Sequence, residues 1–191
     1  MSQTGKAIGE NVQFATKFLA MGEVLIRHAT ERDAESIRAI YNYEVENETA
    51  TFDLVPRTLQ DQLEWQNARQ GAFCVFVAEI DGEVVGFGAL SPYKERAAYR
   101  TSVEDSVYVR RDMGRRGIGR ALLNHLLSTA ADGGFHAVIA RITTLSFGSL
   151  ALHEELGFAM VGVEREIGRK FNKWLDVAIM QCLLHERQEK A

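Results

Sequence analysis

The 191-residue chain has only two cysteines and two prolines. Cys74 and Cys182 lie in apolar runs without metal-ligand spacing, which excludes a disulfide framework and a zinc signature and makes a reducing cytoplasm the default compartment. No metal is expected. No proline-rich linker, low-complexity tract or internal repeat divides the chain. Basic charge is not in excess either, and a net charge of -4 argues against a nucleic-acid binder. Long apolar runs are also missing near the start, where Gln13, Thr16 and Lys17 interrupt Phe14, Phe18 and Leu19, so neither a signal-peptide core nor a membrane span forms there. Residues 1–22 read instead as an N-terminal extension, either from an upstream start or as a short amphipathic helix that docks on the domain or on a neighbouring subunit. Residues 23–191 remain for one domain, and 46% hydrophobic with 25% charged residues is ordinary for a single sizeable core.

The order of elements is mixed α/β. Val24-Leu25-Ile26 reads as a strand, and Thr30-Glu31-Arg32-Asp33 as a capping box opening a helix with Ile37, Ile40 and Tyr41 on one face. Thr58 is the cap expected for a second helix running through Leu63 to Ala68. Phe73 to Ile80 and Glu83 to Leu90 flank Asp81-Gly82, the pair favoured in a type I′ hairpin. A strand over Ser106 to Arg110 follows. The helix after it repeats Ile118, Leu122, Leu126 and Leu123, Leu127 until Asp132-Gly133-Gly134. A strand over Ala137 to Ile142, a helix around Ser149 to Leu156 ending at Gly157, and strands over Phe158 to Val163 and Trp174 to Leu184 complete a mixed sheet with helices on both faces.

Between the strand near Val107 and the helix near Leu123 stands a turn of glycines and arginines. Gly117 and Gly119 let backbone amides approach an anion just where a helix begins, and the helix dipole favours negative charge there. A P-loop would need Gly-Lys-Ser/Thr, whereas Gly119 precedes Arg120-Ala121. A dinucleotide fingerprint would follow the first strand of a βαβ unit, and this turn lies past mid-chain. Arg110, Arg111, Arg115, Arg116 and Arg120 are guanidinium forks suited to a pyrophosphate.

Several separated segments, Ala50-Thr51-Phe52-Asp53, Ala98-Tyr99-Arg100, Val103 to Val109, Leu152 to Phe158 and Lys170 to Val177, resemble the GNAT acetyltransferases, and more closely their phosphinothricin and methionine sulfone/sulfoximine branch. The resemblance spans about Ile26 to Leu184. It implies a mainly antiparallel twisted sheet, acetyl-CoA as co-substrate, and a homodimer with acceptor sites near the interface. Val107, Tyr108 and Val109 would offer backbone groups to the pantetheine arm; Arg115, Arg116, Gly117, Ile118, Gly119 and Arg120 would surround the pyrophosphate. Two positions depart from the family pattern: Gly114 stands where a longer polar side chain is usual, leaving that contact to Arg115, and Ser146 replaces an asparagine that touches the cofactor, so its shorter hydroxyl reaches only through water.

Acetyl transfer to an ammonium needs a base to remove a proton. Glu104, in a matched segment just before the cofactor strand, is the candidate, and partial burial there would raise its pKa. His153 matches the family's second proposed catalytic position, where it would relay a proton or support the tetrahedral intermediate, or else only pack or bond the backbone. Tyr108 ranks third, as acid toward the leaving thiolate or turned into the core, and the Val109 N–H is a candidate oxyanion donor. For an amino-acid acceptor, Arg100 or Arg96 would hold the carboxylate, with Phe52, Tyr99 and Trp174 as pocket walls and Lys170 facing substrate or a partner subunit. The expected activity is acetyl transfer from acetyl-CoA to the α-amine of a small amino-acid-like acceptor by direct attack in a ternary complex. The alternatives are a GNAT enzyme acting on a protein N-terminus, a lysine or a polyamine, and a non-catalytic acyl-CoA sensor.

Overall fold

The structure is a computed structural model that describes residues 22–188. The expected N-terminal extension lies, but for Gly22, outside the described residues. Strand β1 (Leu25–His28) leads to a capping box in which the Asp33 carboxylate accepts the Thr30 N–H at 2.7 Å. Helix α1 (Ala34–Asn47) follows and buries Ile37, Ile40 and Tyr41, the face its spacing predicts. Thr58 caps helix α2 (Leu59–Asn67), its Oγ accepting from the Asp61 N–H. Strands β2 (Val75–Ile80) and β3 (Glu83–Pro92) form the expected hairpin, with Asp81 (φ 51°) and Gly82 (φ 82°) both left-handed as a type I′ turn requires. Then come β4 (Ser102–Val109), α3 (Ile118–Asp132), β5 (Ala137–Thr143), α4 (Phe147–Glu155), β6 (Ala159–Lys170), β7 (Lys173–Leu183) and the short α5 (Leu184–Gln188).

The seven strands form one sheet in the order β1-β2-β3-β4-β5-β7-β6, antiparallel at every pair except β4 with β5. Alternation along the strands separates two cores. On one face, Phe76, Ala78, Val103, Val138, Ala140 and Ile142 pack against Ile118, Leu122, Leu123, Leu126 and Leu127 of α3. On the other, Val75, Val77, Phe87 and Ala89 meet Ile37, Ile40 and Tyr41 of α1. Each of the α3 leucines gains about 1.5–3 kcal/mol from full burial. The close approach of α3 depends on glycine: a Cβ at Gly86 would lie 2.9 Å from the Tyr108 carbonyl oxygen and 3.2 Å from Leu122, and one at Gly88 would lie 3.0 Å from Leu126. Among the described residues no helix is long and apolar enough to cross a membrane.

Three boundaries differ from the sequence reading. β4 begins at Ser102, not Ser106, because its first residues pair with the end of β3 on one side and join β5 in a ladder on the other. β6 runs on past Val163 to Lys170, carried by irregularities at Met160/Gly162 and Glu164/Gly168 that break strict alternation. The last strand ends at Leu183, and Leu184 opens α5.

Candidate active site

The parallel ladder between β4 and β5 lasts three residues, pairing Ser102, Val103 and Glu104 with Ala137, Val138 and Ile139. Beyond it the strands part, and a cleft of about 790 Å³ opens between Asp105–Val109 on one rim and Ala140–Thr143 on the other. A strand edge left unpaired inside a sheet presents N–H and C=O groups that a ligand can satisfy. Val107, Tyr108 and Val109 therefore line the cleft, as the pantetheine role requires.

At the mouth stands the N-terminus of α3. Ala121 is the first residue of the helix whose N–H finds a carbonyl behind it, that of Gly117 at 2.9 Å, so the amides of Ile118, Gly119 and Arg120 have no intrahelical partner. Gly117 (φ 80°) and Arg115 (φ 59°) both take left-handed backbone to shape the turn. Gly119 has a second role: a Cβ there would meet Leu152 of α4 at 3.2 Å, so glycine lets the two helices touch beside the turn.

The five arginines diverge. Arg110 pairs with Asp112 at 2.8 Å and Glu83 at 3.2 Å. Arg111 is held bidentately by the buried Glu44, Nε donating at 2.7 Å. Arg120 pairs with Glu155, and Arg116 turns away from the cleft with Nη1 3.1 Å from the Met113 sulfur. Arg115 lines the cleft with no carboxylate partner among the described residues. Ser146 also lines it, at the N-cap of α4, its side chain making no capping bond. An unpaired guanidinium, three unbonded amides and two glycines on one mouth fit a pyrophosphate, and the unpaired strand rims fit an amide-bearing arm.

Glu104 is the third residue of β4, at the point where the ladder with β5 ends, rather than ahead of the strand. Alternation puts it on the α1 face, with Tyr108, and no described group hydrogen-bonds its carboxylate. Burial pushes that carboxyl above the usual range, opposed by the nearby Arg141 guanidinium and assisted by Asp105 and Glu164.

His153 sits on the opposite face. It is 3% exposed, with Nδ1 2.8 Å from the Ser149 carbonyl oxygen and Nε2 3.1 Å from Oδ2 of Asp105, itself 7% exposed. A backbone carbonyl and a carboxylate face the two ring nitrogens, an arrangement that favours the cationic imidazole. Burial alone would lower its pKa, but the Asp105 bond and charge and the Ser149 carbonyl outweigh it and raise the pKa. His153 also lines the cleft, with one bond to the backbone and one to a side chain.

The Tyr108 ring stacks on Phe87 at 5.1 Å and meets Tyr41 edge-on at 5.2 Å, half-buried against the α1 core while still lining the cleft. Burial raises its phenol far above the ordinary value, which makes it a weak acid.

Of the acceptor candidates, Phe52 lines the cleft, its ring filling the space over Gly168, where a Cβ would lie 2.1 Å from it. Arg96, Tyr99 and Arg100 lie exposed in the β3–β4 connection and do not line the cleft; Tyr99 packs on Tyr93 at 5.6 Å. Trp174 is 61% exposed near the β6–β7 turn, where Arg169 lies over its ring at 5.5 Å, and it too stands off the cleft. Lys170 faces neither substrate nor a partner: it is buried, its Nζ donating to the carbonyls of Glu44 at 3.0 Å and Thr51 at 2.8 Å, which fastens the Ala50–Phe52 wall of the cleft. The sequence reading passes over Asp105, Arg141, Thr143 and Glu44. Period-two alternation through Val103–Val109 was the available signal for Asp105, whereas the other three become site residues only through strand pairing and cleft geometry.

The family model described as an acetyltransferase (GNAT) domain matches residues 26–179. An L-methionine sulfoximine/L-methionine sulfone acetyltransferase of Pseudomonas paraeruginosa is 37% identical over 83% of this chain and 94% of its own length. A GNAT superfamily phosphinothricin acetyltransferase from Sinorhizobium meliloti, solved in complex with acetyl-CoA, superposes with a TM-score of 0.81 at 34% identity over 84% of this chain and 88% of that one. A ribosomal-protein-alanine N-acetyltransferase from Brucella melitensis gives 0.81 at 39% identity over 83% and 99%. With the split sheet, the anion turn and these likenesses together, the chain belongs to the GNAT family and is an acetyl-CoA-dependent N-acetyltransferase of its phosphinothricin and methionine sulfoximine branch.

Proposed function

We propose that the enzyme acetylates the α-amine of a small amino-acid-like acceptor of the methionine sulfone, methionine sulfoximine or phosphinothricin type, by direct attack in a ternary complex. The observation that carries this reading is Glu104, an unpartnered carboxylate beside the opening of the β4–β5 cleft whose pKa burial raises toward the working range of a general base. Acetyl-CoA, when bound, supplies the acetyl thioester. Glu104 takes the ammonium proton and leaves the amine free to attack the thioester carbonyl; the C–N bond forms, the C–S bond breaks, and the departing thiolate takes up the amine's second proton through water, while the β4 rim at Val107 to Val109 orients the acyl arm and the Val109 N–H serves as oxyanion donor. Arg115, Gly117, Ile118, Gly119 and Arg120 hold the pyrophosphate; Ser146 reaches it through water. Arg116 faces away and takes no direct part. His153, tied on both nitrogens, positions α4 against β4 and does not relay protons. Tyr108 keeps its proton and shapes the acceptor wall with Phe52. Neither cysteine lines the cleft, which supports direct attack over an acyl-enzyme. Arg96 and Arg100, exposed near the Glu104 end of β4, supply a positive field that draws an anionic amino acid. The outer edge of β6, with exposed Met160, Val161 and Val163, supports a homodimer, to be checked by light scattering.

Thiol release from acetyl-CoA is the test, with methionine sulfone, methionine sulfoximine, phosphinothricin, common amino acids, spermidine and a peptide with N-terminal alanine. Saturable turnover confined to the amino-acid analogues supports the reading. Turnover of the peptide alone would transfer the acceptor to a protein N-terminus, the reading favoured by the likeness to the Brucella enzyme. Glu104→Gln is expected to keep acetyl-CoA affinity and lower kcat by roughly 10²–10⁴; near-normal turnover at neutral pH would remove Glu104 from the base role.

A further inference from the structure

One arginine on the acceptor side of the cleft is absent from the roles above. Val138, Ala140 and Ile142 of β5 face α3, so Ile139, Arg141 and Thr143 face the opposite way. That is the face of Glu104, whose ladder partner is Ile139. Arg141 lines the cleft, and its charge acts on the Glu104 carboxylate. Its other neighbour is Glu164 on β6, paired through Nη2 at 2.6 Å with side chains 39% and 35% exposed. Such a half-solvated pair is weakly held and can exchange one carboxylate for another. Beside it, Thr143 lines the cleft at 4% exposure, and its Oγ1 is buried with no hydrogen-bond partner among the described residues. Thr143, Val177 and Glu164 form one row across three strands, so the unpaired hydroxyl and the Arg141–Glu164 pair share a surface.

We propose that Arg141 and Thr143 form the subsite that binds the α-carboxylate of the acceptor, Arg141 by its guanidinium fork and Thr143 by its hydroxyl. The inference rests on the amino-acid reading given above. The carboxylate of an α-amino acid is one carbon from the amine. An amine delivered to Glu104 therefore carries its carboxylate into the reach of whatever cation lies beside Glu104, and that cation is Arg141. The side-chain oxygens of a sulfone or phosphinate lie several bonds farther off, toward Phe52. Glu164 holds Arg141 in place until the acceptor carboxylate takes over part of its fork, and the Thr143 hydroxyl gains the partner it lacks.

The test compares methionine sulfone with 3-(methylsulfonyl)propylamine, the same amine without its carboxylate, on the wild type, Arg141→Gln, Arg141→Lys and Thr143→Val. Arg141→Gln is expected to raise the KM for methionine sulfone by roughly 10²-fold, as loss of a bidentate charged pair implies, and to leave the KM values for acetyl-CoA and the plain amine unchanged. Arg141→Lys should recover part of the loss, and Thr143→Val should raise the same KM by about 10-fold. The acid limb of kcat/KM for the plain amine should also move upward in Arg141→Gln, because Asp105 and Glu164 then act on Glu104 without the opposing cation. Equal loss on both amines, or loss on neither, overturns the inference while leaving the amino-acid reading intact. A wild type that turns over none of the amino acids overturns both.

Discussion

Replacing Asp105 by asparagine isolates the buried pair under the cleft. The side chain keeps its shape, so the perturbation is the loss of a negative charge 3.1 Å from His153 Nε2 in a place where both residues are nearly inaccessible to water. Where the imidazole is cationic, stranding it there costs about 3–5 kcal/mol. Where it is neutral, the change exchanges a charged hydrogen bond for an ordinary one, about 1 kcal/mol. The sign with pH follows from the raised pKa of His153. A group whose folded pKa exceeds its unfolded value of about 6.5 gives its full stabilisation below that value and loses it as pH climbs through the folded pKa. Without Asp105, burial is left to act and lowers the folded pKa instead. The deficit of Asp105→Asn should therefore be greatest below about pH 6.5, at about 3 kcal/mol, and shrink toward about 1 kcal/mol as pH rises through the raised pKa of His153. Urea denaturation of both proteins across this range measures it, and an NMR titration of the His153 ring supplies the pKa independently. A deficit that does not vary with pH would show that His153 is not the cation, and the pairing argument would fail.

Two other substitutions probe how the walls of the cleft are held. Lys170→Met strands the buried carbonyl of Thr51 and leaves that of Glu44 with the Glu48 N–H alone, so urea denaturation should show a loss of about 1–3 kcal/mol, and the KM for the acceptor should rise more than that for acetyl-CoA because Thr51 and Phe52 form its wall. Gly86→Ala drives a Cβ to 2.9 Å from a main-chain oxygen that cannot yield, whereas the 3.0 Å contact at Gly88 is with the flexible end of Leu126. Overpacking costs about 1–3 kcal/mol, partly offset by the stiffer unfolded chain, so Gly86→Ala should be the less stable of the two and, by lifting α3, should also raise the KM for acetyl-CoA.

How much of this was legible in the sequence depended on whether the signal was local. The Asp81-Gly82 hairpin, the Thr30 and Thr58 boxes and the α3 repeat each rest on residues within a few positions of one another, and they appear where expected. The sequence alone puts Glu104 ahead of its strand because the residues that extend β4 backward lie on other strands, Ser91 and Pro92 on β3 and Ala137 to Ile139 on β5. The arginine cluster was visible as a density of charge, but its allocation was not: Glu44, Glu83 and Glu155 engage Arg111, Arg110 and Arg120 from remote elements, which leaves Arg115 and Arg116 without a carboxylate among the described residues, and of these two only Arg115 lines the cleft. Closeness in sequence points to Arg96 and Arg100 and residue type to Trp174, but the surface they occupy lies beside the cleft. Arg141 had no local cue; its neighbours Glu104 and Glu164 come from two other strands.

Glu104 and Asp105 are consecutive carboxylates with unlike surroundings, and the strand period is the cause. Successive side chains of β4 leave on opposite faces, and this pair falls where the ladder with β5 stops, so the chain passes one carboxylate to each side of the opening. On the α1 face Glu104 has no hydrogen-bond donor among the described residues and is disfavoured as an anion by burial, the setting that its proposed base role needs. On the α3 face Asp105 meets the imidazole of a helix that also touches the anion turn through Leu152 and Gly119, so its charge is spent on holding the rim. Removing either carboxylate takes away the same formal charge, yet the expected consequence differs: on the proposed base role, loss at 104 should fall on turnover, and loss at 105 should fall on the pH dependence of stability. A residue is assigned to chemistry or to support here by the parity of its position and by which neighbour the sheet brings to it, not by its side-chain type.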